Sequence, residues 1–160
     1  MRKTALPLAL LALVLFDGSA RADDAVPYPE GYRDWRHVKS MVIGEAHPLS
    51  GAFAGIHHLY ANAEAVRGYR SGRFPDGAVI VFDLLEAQAT DDDALVEGGR
   101  KVVGVMHKDS RRWAATGGWG FEGFEGDSRE RLLDAAGQVA CFDCHAAKPE
   151  SDFVFSGLRP

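Results

Sequence analysis

Phe74-Pro75-Asp76-Gly77 runs directly into Ala78-Val79-Ile80-Val81-Phe82-Asp83-Leu84-Leu85-Glu86. A Pro-Asp-Gly turn feeding a segment concentrated in Val, Ile and Phe predicts a strand over Ala78 to Glu86, the clearest in the chain. Upstream, Gly55 to Ala61 predicts a strand stopped by Asn62, which caps a short helix over Ala63 to Tyr69 that breaks at Ser71-Gly72. Farther back, His47-Pro48-Leu49-Ser50-Gly51 is turn chemistry. His37 to Gly44 predicts another strand, with Val38, Ser40 and Val42 alternating with Lys39, Met41 and Ile43. Residues 23 to 31 hold two prolines and a glycine and read as an extended lead-in.

Downstream, Thr90-Asp91-Asp92-Asp93 and Glu97-Gly98-Gly99 bracket an expected solvated loop. Lys101 to His107 predicts a fourth strand and Trp113 to Phe124 a fifth, glycine-rich and aromatic. Asp127, with Glu130 in capping-box position, predicts a helix from Ser128 to Val139. Asp152-Phe153-Val154-Phe155 predicts a short closing strand. The sum is an α+β fold, a mostly antiparallel sheet with a few packed helices in a single domain.

The N-terminus reads as a targeting segment. Arg2 and Lys3 precede an apolar run, Ala5 to Phe16, and Ala20-Arg21-Ala22 offers a small-x-small cleavage pattern. Residues 1 to 22 are therefore expected to be a cleaved signal peptide, and 23 to 160 the mature domain in the periplasm. The run is too short to span a bilayer, so no membrane anchor is expected. The full chain carries −5; residues 1 to 22 hold Arg2, Lys3 and Arg21 against Asp17, so their removal leaves about −7. An acidic chain with no basic stretch argues against nucleic-acid binding and suits basic protein partners or small neutral ligands.

Only two cysteines occur, in Cys141-Phe142-Asp143-Cys144-His145. A disulfide between them would close a very short loop, and a redox pair belongs near a βαβ pattern with no obligatory histidine. Cys-x-x-Cys-His after an export signal reads instead as attachment of one haem c, with a thioether at each cysteine and His145 as axial ligand to iron. The other axial side decides between electron transfer and ligand binding. Residues 146 to 160 contain no Met or His, so a sixth ligand would come from Met41, Met106, His37, His47, His57, His58 or His107. His57 and His58 are neighbours on a strand, so at most one of them faces iron.

The sequence resembles the cytochrome P-460 and cytochrome c′-β group of small exported haem proteins. The likeness is carried by Gly31-Tyr32-Arg33-Asp34-Trp35, Ile56-His57-His58-Leu59-Tyr60-Ala61-Asn62 and Gly72-Arg73-Phe74-Pro75-Asp76-Gly77. It continues in His107-Lys108-Asp109-Ser110-Arg111-Arg112-Trp113, Gly117-Gly118-Trp119-Gly120-Phe121 and the C-terminal haem motif with its flanks. The resemblance implies a mostly antiparallel β fold and a tendency to form homodimers. Its hydroxylamine-oxidising branch uses a lysine cross-linked to the haem, where this chain has Tyr69-Arg70-Ser71-Gly72. Arg70 cannot replace that lysine, being always protonated, but could pair with a haem propionate. The c′-β branch has a five-coordinate haem capped by phenylalanines, matched here to Phe53 and Phe82, and binds nitric oxide.

Glu122 shares a strand face with Gly120 and Phe124; a carboxylate beside an aromatic could relay protons, or else be a solvated strand residue. Three readings stay open. The first is a five-coordinate haem protein binding nitric oxide or a related nitrogen oxide. The second is a haem oxidoreductase acting on hydroxylamine or peroxide. The third is a six-coordinate cytochrome passing electrons to a redox partner protein.

Overall fold

The computed structural model describes residues 25–159. The expected signal peptide, residues 1 to 22, lies outside them. Five strands form one antiparallel sheet in chain order: β1 (Arg36–Ile43), β2 (Gly55–Ala61), β3 (Val79–Ala89), β4 (Leu95–Lys108) and β5 (Trp119–Glu125). Three α-helices accompany it: α1 (Ser50–Phe53), α2 (Ala63–Ser71) and α3 (Ala135–His145). The α+β, single-domain expectation holds, and β2 has the predicted bounds. Asn62 caps α2 by accepting from the Ala65 N–H at 2.9 Å, and Gly72 ends it in the left-handed region that glycine adopts without strain.

The sheet buries both faces. One carries Leu59, Ala61, Ile80, Trp119 and Phe121, with Ala65 and Phe74 packed on it from α2 and the turn that follows. The other carries Val81, Val103, Val105 and Phe124, covered by Val26 and Tyr32 of the N-terminal segment. Asp83 is buried on this second face, where Tyr32 Oη donates to it at 2.7 Å and Arg100 Nε at 2.6 Å. That pairing neutralises a charge that burial alone would make very unfavourable.

Five expectations need correction. The register between β1 and β2 shifts between His37 and Lys39, so Val38 turns into the first core instead of sharing a face with Ser40. Glu97, Gly98 and Gly99 belong to β4, not to a loop: Ala87 pairs with Glu97, which extends the β3–β4 ribbon past the sheet body. Trp113 precedes β5 in a turn closed by a short 3₁₀ segment, Ala114–Thr116. The helix expected over 128 to 139 starts seven residues later, capped by Asp134 accepting from Gly137 N–H at 2.8 Å. Arg131 and Leu132 are held along the β5 edge instead, by a bridge from Arg131 to Phe124 and by Leu132 N–H donating to the Gly123 carbonyl. The expected closing strand at Asp152 to Phe155 is irregular backbone after a 3₁₀ turn, Pro149–Ser151.

Candidate functional site

The shift in α3 places Cys141, Cys144 and His145 inside the helix. Spacings of three and four residues align them on one helical face. Cys141 and Phe142 pack against the first core beside Phe121, while Cys144 is exposed. Both cysteines are free thiols; burial pushes the Cys141 thiol up from its ordinary value, with smaller contributions from Cys144 and Glu122.

His145 is held by three neighbours. Its ring lies between Phe121 and Phe155, with ring centroids 5.1 Å away on each side. Its Nδ1 sits 2.7 Å from the carbonyl oxygen of Phe153. A carbonyl only accepts, so Nδ1 carries the proton and Nε2 keeps its lone pair. Burial holds the imidazole below its ordinary pKa, against the raising effect of the Phe153 carbonyl, which favours the neutral ring. A neutral imidazole with Nδ1–H on a carbonyl and Nε2 free is the form that ligates a metal.

No residue of α3 is buried, and Val139 on the helix, Leu132 before it and Phe155 after it are large exposed apolar side chains. Two thiols, a metal-ready imidazole and apolar surface around them fit a covalently held porphyrin.

Farther along the same sheet face stands Phe82, and Phe53, the last residue of α1, packs against it. Their rings meet edge to face at 5.7 Å, and His57 stacks on Phe82 at 5.1 Å with 19° between planes. His57 Nε2–H donates to the Phe53 carbonyl at 2.6 Å, so one buried imidazole holds both phenylalanines. Gly104 makes room for this, since a Cβ there would stand 2.3 Å from Phe82 Cδ1.

The family model for Cytochrome P460 matches residues 29–156. The chain belongs to the cytochrome P460 family. Its members bind haem, and this chain is a haem c-type cytochrome. No curated protein matches the chain.

Within this cytochrome P460 scaffold the other predicted residues are scattered. His58 points to the opposite sheet face, held by Ser40 Oγ at 2.7 Å and Glu97 at 2.6 Å. His107 also lies on that second face, tilted against Trp113. His47 and Met41 are exposed, and His37 bonds Ser40 Oγ at 3.0 Å. Met106 is the methionine that reaches the haem-motif face, opposite Phe121.

Glu122 is buried, not solvated, with Arg131 donating to it at 2.6 Å and the N–H groups of Gly123 and Leu133 at 3.0 and 3.2 Å. These three donors occupy the carboxylate and tie the 131–133 segment to β5. Arg70 is exposed in an open groove of about 500 Å³ shared with Trp35, Arg36 and Arg67.

Sequence reasoning passed over Tyr69 as a neighbour of the site. It packs against the first core, its hydroxyl 2.6 Å from Ser156 Oγ, and burial pushes its pKa up to about 12. Its place on the buried side of α2, one residue from exposed Arg70, was the available signal.

Proposed function

We propose that the mature protein is a periplasmic cytochrome with one haem joined through Cys141 and Cys144, ligated by His145, and open on its other face to nitric oxide. The observation that carries this reading is the Phe53–Phe82 pair on the same sheet face as the haem motif. When bound, the haem would supply an iron able to take up a small ligand. Phe53 and Phe82 exclude water from that side and offer no hydrogen-bond donor, which favours an uncharged diatomic over a bound group that carries negative charge. His57, with Nε2–H committed to the Phe53 carbonyl, is held away from acting as a donor there.

Hydroxylamine oxidation is disfavoured, because Tyr69-Arg70-Ser71 supplies no lysine for a cross-link. The groove around Arg70 gives a propionate a guanidinium to pair with. The test is the optical spectrum of the matured protein, ferric and ferrous, with and without nitric oxide. A high-spin ferrous spectrum that shifts on adding nitric oxide is expected. A low-spin spectrum indifferent to the gas would overturn the reading and mean that an upstream His or Met occupies the sixth site.

A further inference from the structure

A buried ion pair stands behind the carbonyl that holds His145. Lys108 Nζ lies 2.8 Å from Asp152 Oδ1, and each residue is 7% exposed. The ammonium also donates to the Gly117 carbonyl at 2.8 Å. Asp152 Oδ2 accepts from the Phe74 N–H at 2.8 Å, and its main-chain oxygen accepts from Trp119 Nε1 at 2.8 Å. Three separate segments therefore converge on this aspartate.

The backbone there is strained. Asp152 and Phe153 both have positive φ, 54° and 66°, in succession and without glycine. Such conformations persist only where the surroundings over-determine them, and they gather at functional sites. The Phe153 ring fills the space beside Gly117, where a Cβ would lie 2.2 Å from it. The product of this turn is the direction of the Phe153 carbonyl, which meets His145 Nδ1–H at 2.7 Å.

Stability alone gives a weak reason for such a pair, because well-packed apolar replacements of buried ion pairs are often neutral or stabilising. We propose that Lys108 and Asp152 are positioning residues for the proximal ligand: they lock the 152–153 turn so that the Phe153 carbonyl fixes the tautomer, orientation and basicity of His145. This rests on the reading of His145 as the axial ligand. A firmly held carbonyl draws the Nδ1 proton, makes the imidazole a stronger donor to iron and lowers the reduction potential. The effect would reach the ligand through the Phe153 carbonyl, from Lys108 at the end of β4.

The test uses haem-loaded wild type, Lys108→Met and Asp152→Asn. The midpoint potential and, in the ferrous five-coordinate form, the iron–histidine stretching band are measured by redox titration and resonance Raman. Both variants are expected to raise the potential and shift the band to lower frequency, with the haem still attached. Wild-type values in both folded variants would overturn the proposal. Loss of folded protein in both would overturn it too, by making the pair a requirement of the whole fold. If wild type shows no iron–histidine band because a sixth ligand is present, the open-site reading fails, while the potentials still decide the positioning role.

Discussion

His57 lies flat on Phe82, 5.1 Å between ring centroids and 19° between planes, while its Nε2–H holds the carbonyl of Phe53. Burial keeps this imidazole below its ordinary pKa, opposed by the Phe53 carbonyl. His107 is depressed as well, by burial and then by the charge of Arg112. In both cases the unfolded chain binds protons that the folded chain resists. Their stabilising contribution is full above the unfolded value of about 6.5 and is lost as pH falls through that value towards the folded one. The melting temperature should decline as pH drops from about 7 to about 5. His57→Gln, which keeps a donor for Phe53 but does not titrate, should make that decline shallower. An unchanged slope in His57→Gln would remove His57 from the effect.

Gly104→Ala places a methyl 2.3 Å from Phe82 Cδ1. Overpacking of this kind costs about 1–3 kcal/mol, read from urea unfolding. In a Phe82→Ala background the same change should cost less than about 0.5 kcal/mol, because the clash is gone. Additive losses would show that Gly104 and Phe82 do not meet.

Asp83→Ala should be among the most damaging changes on the second face. It leaves the Arg100 guanidinium, whose side chain is only 10% exposed, with Asp127 as its remaining carboxylate partner, and takes the acceptor from the buried Tyr32 hydroxyl. Breaking a buried pair from one side costs about 3–5 kcal/mol. Chemical denaturation of the holoprotein measures it.

Cys141→Ala together with Cys144→Ala should release the haem into acid acetone, and either change alone should weaken attachment. His145→Ala should leave the thioethers possible but remove normal iron ligation, seen as a changed ferrous spectrum. Haem retained by the double cysteine variant would sink the assignment of the motif.

Much of this was legible in the chain because the deciding signals are local. Val79 to Leu85 alternate between two buried faces, Asn62 caps α2 with its own side chain, and Cys-x-x-Cys-His needs only five consecutive residues. The misplaced start of α3 shows where local signals stop. Asp127 and Glu130 form a plausible capping box, yet Leu132 N–H bonds the Gly123 carbonyl and Arg131 pairs with Glu122, so the edge of β5 claims those residues first. That contest carries Cys141 and His145 into the last turns of a helix instead of beyond its end.

The sequence by itself determined the strand segments, the Asn62 cap of α2 and the Cys-x-x-Cys-His spacing, since each depends on neighbours a few residues apart. Only the tertiary structure decided which aromatic groups surround His145 and which charges are buried. Lys108 and Asp152 are separated by 44 residues and His57 reaches Phe82 across a strand pair. Such meetings are set by register and packing, where a partner's position depends on the whole sheet and not on any stretch of chain read alone.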